Sequence, residues 1–233
     1  MTVTMSSNTV KAVMVGDSCC GKSSMVSCLL QSDTQTSATN VLKQKYVPTI
    51  FDVYRTTTDT AIRNSTCNIT IHDTAGLEVY DRLRPLSYPD TDIILLCFSI
   101  AEPDSLRNVL DKWLPEIRHN CPDRPFLLVG TKSDLRADDR IVRKLNLRAK
   151  QEPVSRNDGI KIAKQIKALK YMECSALDKD SIQTVFDYAT KKSLKQNSSH
   201  ICFSALSMAF KMLKRQIKLS AHNKTSDSKL LLA

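Results

Sequence analysis

An apolar segment of strand length runs directly into a glycine-rich loop near the start of this 233-residue chain. The segment is Val10 to Val15, and the loop is GDSCCGKS, Gly16 to Ser23, followed by a helical stretch. In a G-x-x-x-x-G-K-[ST] loop, glycines turn backbone amides toward a polyphosphate, lysine supplies positive charge, and the hydroxyl can ligate Mg²⁺. A chance glycine and serine turn is the alternative. The pattern fixes four residue types, so it predicts a phosphate-binding loop between a strand and a helix.

Strand-like and helix-like segments alternate along the rest of the chain. The predicted strands are Val10–Val15, Phe51–Thr60, Asn68–His72, Ile93–Ile100, Phe126–Val129 and Tyr171–Cys174, and the predicted helices are Lys22–Leu30, Pro103–Asn120, Asp158–Leu169 and Asp180–Ser193. Polar alternation in Phe51–Thr60 suits an edge strand. This order predicts an α/β fold with a doubly wound, six-stranded, mostly parallel sheet. Such sheets bind ligands beyond the carboxyl ends of their strands.

Three further motifs follow predicted strands and point to a guanine nucleotide. DTAG, Asp73 to Gly76, places a carboxylate near the Mg²⁺ and a glycine amide near a γ-phosphate. TKSD ends in Asp134, which can accept hydrogen bonds from the N1–H and 2-amino group of guanine, while the Lys132 stem packs over the base. ECSAL, Glu173 to Leu177, supplies a serine and an amide that can brace that aspartate and reach the guanine O6. Each motif alone is weak evidence for a guanine-nucleotide site, but the motifs in this order are specific to one.

The chain resembles the Rho branch of the Ras-superfamily GTPases over roughly residues 9–190. The resemblance is carried by YVPTIFDVY (Tyr46–Tyr54), YDRLRPLSYPDTD (Tyr80–Asp92), KWLPEIRHNCP (Lys112–Pro122) and VGTKSDLR (Val129–Arg136). We therefore expect a disordered N-terminus at 1–8, a Rho-type P-loop G domain at 9–195 with a charged, helix-prone insert at about 135–157, and a basic tail at 196–233. The resemblance implies a cytoplasmic signalling protein whose partners are Rho-type effectors and exchange factors, with actin, polarity or vesicle traffic as the processes that the family suggests.

Motifs and resemblance together define the expected ligands, GTP or GDP with Mg²⁺, and the expected site. The nucleotide-binding residues are Gly16, Asp17, Ser18, Cys19, Cys20, Gly21, Lys22, Ser23, Ser24, Thr49, Asp73, Gly76, Thr131, Lys132, Asp134, Ser175 and Ala176. The resemblance makes Thr49 the threonine of the first switch, and it makes Tyr46–Asp52 and Gly76–Arg84 the two switches. The expected metal ligands are Ser23, Thr49 and, through water, Asp73.

Two departures from the family bear on catalysis. Leu77 stands where the family has a glutamine that orients the attacking water, and Ser18 replaces a loop glycine whose absent side chain leaves room for a partner's arginine finger. The finger alone is worth about 10³ to 10⁵ in rate, so we expect very slow hydrolysis. The Rnd subgroup of Rho proteins departs at the same positions. Rescue of the chemistry by another side chain is the alternative.

A third departure concerns nucleotide exchange. Counting back from Tyr46 places Leu42 where Rho proteins put a phenylalanine against the guanine, although a long polar stretch at Gln31 to Lys45 blurs that alignment. Losing an aromatic contact forfeits on the order of 1 kcal/mol, so we expect nucleotide to dissociate several-fold faster. Because GTP exceeds GDP in cells, slow hydrolysis and fast exchange both predict a mostly GTP-bound protein that offers Ile50 to Val53 to effectors.

Other functions stay open at this level. A nucleotide-independent binding module and a cycling GTPase with compensated catalysis are the alternatives to a persistent switch. The switch is favoured because the metal and base contacts are intact while the water-orienting glutamine is missing. The intact residues are Lys22, Ser23, Thr49, Asp73, Lys132 and Asp134.

The positive charge of the chain is concentrated in its tail. From Lys191 onward nine Lys and Arg accompany one Asp, a net charge of +8, which leaves +2 of the total +10 for residues 1–190. Ile201–Leu219 pairs a basic strip with a wide apolar face, which suits a helix on the anionic cytosolic face of a plasma or internal membrane rather than a nucleic acid. Docking on the domain or in a partner groove are the alternatives.

Cysteines bear on the anchor and on the compartment. The chain ends in KLLLA with no cysteine after Cys202, so we expect no prenylation, while Cys202 could carry a palmitate. The eight cysteines contain no C-x-x-C pair, which favours reduced thiols in the cytosol. We expect Cys19 and Cys20 to be buried and inert, with oxidation as the alternative.

Overall fold

The computed structural model of the protein describes residues 9–31, 49–60 and 65–195. Their strands form one six-stranded sheet in the order β2-β3-β1-β4-β5-β6. The strands are β1 (Thr9–Gly16), β2 (Phe51–Thr60), β3 (Ser65–Thr74), β4 (Ile93–Ser99), β5 (Phe126–Thr131) and β6 (Tyr171–Glu173). β2 pairs antiparallel with β3, and the other neighbours are parallel. The predicted α/β sheet, with its second strand at an edge, is confirmed.

Five helices accompany the sheet in the described part of the chain. They are α1 (Lys22–Leu30), α2 (Pro103–Asn108, Val109–Trp113 and Leu114–Asn120 in succession), α3 (Asp139–Ala149), α4 (Arg156–Ile166) and α5 (residues 179–195). Short 3₁₀ turns cover Glu78–Tyr80, Arg84–Ser87 and Ser133–Ala137.

Two predicted helices differ from the structure. The helix predicted over Pro103–Asn120 is present, but its middle, Val109–Trp113, is π-helical rather than α-helical. The helix expected over Asp158–Leu169 starts earlier, because the Ser155 hydroxyl accepts a hydrogen bond from the Asp158 amide at 3.1 Å and caps the first turn. It also ends earlier, at Ile166, because Lys167 adopts a left-handed conformation with φ +61°.

The core lies along the central strands β1 and β4. All seven residues of β4 are buried, as are the residues from Ala12 to Gly16 in β1. Parallel strands covered on both faces need apolar residues at successive positions, which explains why these strands read as continuous apolar runs. The order of strands reverses around β1, whose neighbours are β3 and β4, so the loop that follows β1 lies at the crevice of the sheet.

The charged insert expected near 135–157 contains a helix, α3. Its first turn is capped by the Asp138 carboxylate, which accepts a hydrogen bond from the Arg140 amide at 2.8 Å. Arg136 ties the start of the insert to β6 through a two-pronged contact with Glu173, at 2.6 and 3.0 Å. This ion pair fixes the insert beside the carboxyl ends of β5 and β6.

Several predictions lie outside the described residues: the N-terminus at 1–8, Tyr46, Leu42, the tail at 196–233 with its Ile201–Leu219 helix, and Cys202. Within the described ranges no helix is long and apolar enough to cross a membrane. The seven described cysteines are all free thiols. Cys20 is buried as expected, but the expectation that Cys19 is buried is wrong, because its left-handed backbone (φ +59°) accompanies an exposed side chain.

Candidate functional site

The glycine-rich loop after β1 is held in a conformation that its glycines require. Gly16 has φ +148°, and a Cβ at that position would lie 2.1 Å from the Cys97 carbonyl oxygen. Gly21 has φ +107° and caps α1. The Lys22 ammonium crosses the loop and donates to the carbonyl oxygens of Gly16 and Asp17 at 2.7 and 2.8 Å, with only 5% of the residue exposed. The loop therefore presents a fixed positive charge and the amino end of α1.

Three oxygen-bearing side chains converge beside this lysine. The Ser23 and Thr49 hydroxyl oxygens are 2.8 Å apart. Both carboxylate oxygens of Asp73, at the end of β3, are buried without a hydrogen-bond partner of normal geometry, although the Ser23 hydroxyl is close enough to favour the charged form. Burial raises the pKa of Asp73, and Ser23 and Lys22 oppose that rise. Hard oxygen donors with an unpartnered carboxylate fit Mg²⁺ held partly through water.

A cavity of about 320 Å³ opens at this point. It is lined by Ser18, Cys19, Gly21, Lys22, Ser23, Ser24, Thr49, Thr74, Gly76 and Lys132. Gly76 packs against the loop so closely that a Cβ there would lie 2.2 Å from the Ser18 amide nitrogen. Leu77 is half-buried and extended just before the turn Glu78–Tyr80. Among the described lining residues there is no Gln, His, Asp or Glu.

A second, smaller cavity of about 120 Å³ adjoins the first and shares Gly21, Ser24 and Lys132 with it. Asp134 lies on its wall, and the Ser175 hydroxyl donates to one oxygen of that carboxylate. The Leu177 amide in turn donates to the Ser175 hydroxyl oxygen at 3.0 Å, which orients this hydroxyl toward Asp134. The second oxygen of Asp134 is thus left for a ligand in the cavity.

Lys132 and Thr131 connect the two cavities. Lys132 adopts φ +56°, and its ammonium donates to the Cys19 carbonyl oxygen at 2.7 Å, so its stem spans the glycine-rich loop. The Thr131 hydroxyl lies within hydrogen-bond distance of the carbonyl oxygens of Cys20 and Phe98. The loop after β1 is therefore fastened to the end of β5, which brings the motifs together as expected for a parallel sheet.

The structure brings thirteen of the seventeen predicted binding residues to the walls of these two cavities, and the other four are Gly16, Asp17, Cys20 and Asp73. Gly16 shapes the loop, and Asp73 lies buried at the end of β3. Cys20 is buried and contacts the Cys97 carbonyl oxygen, and burial raises the pKa of its thiol. The Asp17 carboxylate is bonded to α2 rather than to residues of the cavities.

Comparison with protein-family models matches residues 11–195 to the Ras family, which is more than half of the chain. The chain belongs to the Ras family. It is therefore a small GTP-binding switch in general terms, from a family that binds GTP or GDP with Mg²⁺ and acts through effectors and regulators.

Three residues that were not predicted to bind nucleotide or metal also touch the site of this Ras-family chain. Asn108 and Trp113 of α2 bind the Asp17 carboxylate, and the Arg84 guanidinium donates to the Ala75 carbonyl oxygen at 3.0 Å. No spacing rule links them to the loop, because Asn108 and Trp113 lie 91 and 96 positions away from Asp17. The π-helical segment that aligns them has no sequence signature that we can name.

Proposed function

We propose that this Ras-family protein is a Rho-type signalling switch that binds GTP, hydrolyses it very slowly and stays mostly GTP-bound. The observation that carries the proposal is Leu77, which stands where the family has a glutamine that orients water. The residues expected to bind the nucleotide and Mg²⁺ are present around it. Leucine has no hydrogen-bonding group in its side chain, so it cannot orient a water molecule.

Nucleotide binding is supported by side chains that are already fixed by the protein. Lys22 is held over the phosphate side of the loop, and Ser23, Thr49 and Asp73 form an oxygen cluster suited to Mg²⁺. Mg²⁺, when bound, would neutralise charge on the phosphates. At the other end, Asp134 keeps an oxygen for the N1–H and 2-amino group of guanine because Ser175 holds only the first oxygen.

Slow hydrolysis is supported by the composition of the phosphate cavity. The closest substitutes for the missing glutamine are Gln, His, Asp and Glu, whose side chains carry a strong hydrogen-bond acceptor at some distance from the backbone. The described residues that line the cavity include none of these. Ser18 adds a hydroxymethyl group to a loop residue that lines the same cavity as Gly76, and this group would crowd the approach of a partner's arginine finger.

Effector recruitment is supported by the exposed edge of the sheet. Ile50, Phe51 and Val53 are 54%, 47% and 41% exposed, and they lie at or just before the start of the edge strand β2. An exposed strand edge with apolar side chains can accept a partner segment. Thr49, one residue earlier, would couple this edge to the metal site, so effector binding would depend on GTP.

Attachment to an anionic membrane through the basic tail, and hence a peripheral position on a cytosolic membrane face, belongs to the same proposal. Its support is the charge of the tail, with +8 from Lys191 onward. A protein that does not switch itself off by hydrolysis would be controlled by its abundance and its location.

The test is to purify the protein from cells, identify its bound nucleotide by chromatography, and follow single-turnover GTP hydrolysis with and without a Rho-type activating protein. We expect mostly GTP and a hydrolysis rate that the activator does not change. Mostly GDP with activator-stimulated hydrolysis would refute slow hydrolysis and establish a cycling GTPase. A protein that neither carries nor binds nucleotide would refute the switch and favour a binding module.

A further inference from the structure

A carboxylate stands in the loop that receives the phosphates. Asp17 is the second residue of the loop, and its negative charge would repel a polyphosphate at short range. The residues that line the phosphate cavity include its neighbours Ser18 and Cys19 but not Asp17 itself. Its carboxylate is directed toward α2 instead.

Two side chains of α2 hold it. The Trp113 indole Nε1–H donates to Oδ1 of Asp17 at 2.6 Å, and the Asn108 Nδ2 donates to Oδ2 at 2.7 Å. Each oxygen of the carboxylate thus has its own donor. Hydrogen bonds to an ionised group are stronger than neutral ones, so the pair of donors fixes the direction of the charge.

The π-helical segment explains why both donors face the same carboxylate. Residues five apart on a regular α-helix point in directions about 140° apart, because each turn takes about 3.6 residues. Val109–Trp113 is wound as a π-helix, whose turn is wider and whose hydrogen bonds join residues five apart. This local widening brings Asn108 and Trp113 to one face.

Trp113 is itself held rigidly. It is fully buried, and the Arg84 guanidinium and the Lys112 ammonium lie 4.5 and 4.8 Å from the centre of its ring. Arg84 also donates to the Ala75 carbonyl oxygen, next to Gly76. Since Gly76 packs on Ser18, the loop, α2 and the start of the second switch are joined in a closed series of contacts.

We propose that Asn108 and Trp113 are positioning residues that hold the negative charge of Asp17 away from the phosphates of the bound nucleotide. The proposal rests on the proposed nucleotide site and adds an electrostatic role for α2. Without the two donors, the carboxylate is free to rotate toward the phosphates and repel them. Repulsion grows with the charge of the ligand, so GTP is affected more than GDP.

The test measures dissociation of fluorescent GTP and GDP from the full chain carrying Trp113→Phe with Asn108→Ala. We expect dissociation to be about tenfold faster for GTP and less affected for GDP. Adding Asp17→Asn to the same protein should bring the GTP rate back toward that of the wild type, because the repelling charge is gone. Equal effects on GTP and GDP, or no rescue by Asp17→Asn, would overturn the positioning role.

Asn120→Ala is the matched control for the asparagine change. Asn120 lies on the same helix and donates to the Glu116 carbonyl oxygen at 2.9 Å, but it does not contact Asp17. Its loss should leave both dissociation rates unchanged. A rate increase as large as that of the variant carrying Trp113→Phe with Asn108→Ala would show that α2 acts only through its general stability, which would also overturn the proposal.

A second measurement reads the contact without any nucleotide. Trp113 is the sole tryptophan of the chain, so its fluorescence reports on the bond to Asp17. We expect Asp17→Ala to change the emission of the indole, and Asp104→Ala, at an exposed carboxylate paired with Arg107, to leave it unchanged. Unchanged emission in Asp17→Ala would refute the contact itself, even if the protein bound no GTP.

Discussion

The guanine end and the γ-phosphate end of the candidate site differ in how many of the expected functional side chains they contain. At the guanine end, Asp134, its brace Ser175 and the spanning Lys132 are all present and hydrogen-bonded. At the γ-phosphate end, Ser18 and Leu77 stand where the family resemblance places a glycine and a glutamine, although the lysine and hydroxyls expected to bind the ligand are present. Under the proposed function, the difference teaches that holding a nucleotide and hydrolysing it depend on separate side chains, so one ability can be lost while the other is kept.

The largest expected effect is a gain at the γ-phosphate end. Leu77→Gln combined with Ser18→Gly should raise activator-stimulated GTP hydrolysis by about 10³-fold or more, because a water-orienting group returns and the arginine finger gains room. Single-turnover hydrolysis measures this. Leu86→Gln, at an exposed leucine in the neighbouring turn, is the control and should give no gain. If the double variant hydrolyses GTP no faster than the wild type, the two substitutions do not account for slow hydrolysis.

A smaller effect is expected at the guanine end. Asp134→Ala removes a charged acceptor for two hydrogen bonds and should weaken GTP binding by about 10²-fold or more. Ser175→Ala removes only the brace, a loss of about 1 kcal/mol or roughly fivefold in affinity. Equilibrium binding of labelled GTP measures both. Hydrolysis in saturated complexes should stay as slow as in the wild type, and a change there would contradict the separation of the two ends.

The smallest effect is a pH dependence of stability that comes from β3. His72 precedes Asp73 in β3. Burial of the imidazole and repulsion by Lys11 and Arg55 lower the pKa of His72 to about 4. In the unfolded chain the pKa of this histidine is about 6.5, so acidification below that value protonates the unfolded chain first. The free energy of unfolding should therefore fall between about pH 6.5 and 4, by about 1 kcal/mol after allowance for partial exposure.

Denaturant unfolding at several pH values checks this dependence. His72→Gln should flatten the fall in stability, while His119→Gln, at an exposed histidine of α2, should not. An unchanged slope in His72→Gln would place the acid sensitivity of the fold at other groups.

Much of the fold could be predicted because its strands carry local signals. The central strands are covered on both faces, so β4 is a continuous apolar run. The ends of strands were predicted less accurately where polar residues continue a strand, as Thr131 does at the end of β5. The π-helical segment was missed because a wider turn over five residues leaves the apolar pattern of α2 almost unchanged.

The residues of the candidate site also differ in whether the sequence alone could identify them. Lys22, Asp73 and Asp134 belong to motifs whose local spacing carries chemistry, so they could be identified without a structure. The partners of Asp17 could not, because Asn108 and Trp113 reach it only through the packing of α2 against the loop. Long-range contacts of this kind have no local pattern.

The contact between Gly76 and the loop also bears on how such a chain arises by mutation. Any side chain at position 76 would collide with the backbone around Ser18, so that position is closed to substitution. Positions 18 and 77 differ, because Ser18 borders the phosphate cavity and Leu77 is only half-buried just before the turn Glu78–Tyr80. Under the proposed function, two changes of side chain would turn a timed signal into a standing one without altering the glycine on which the loop packs.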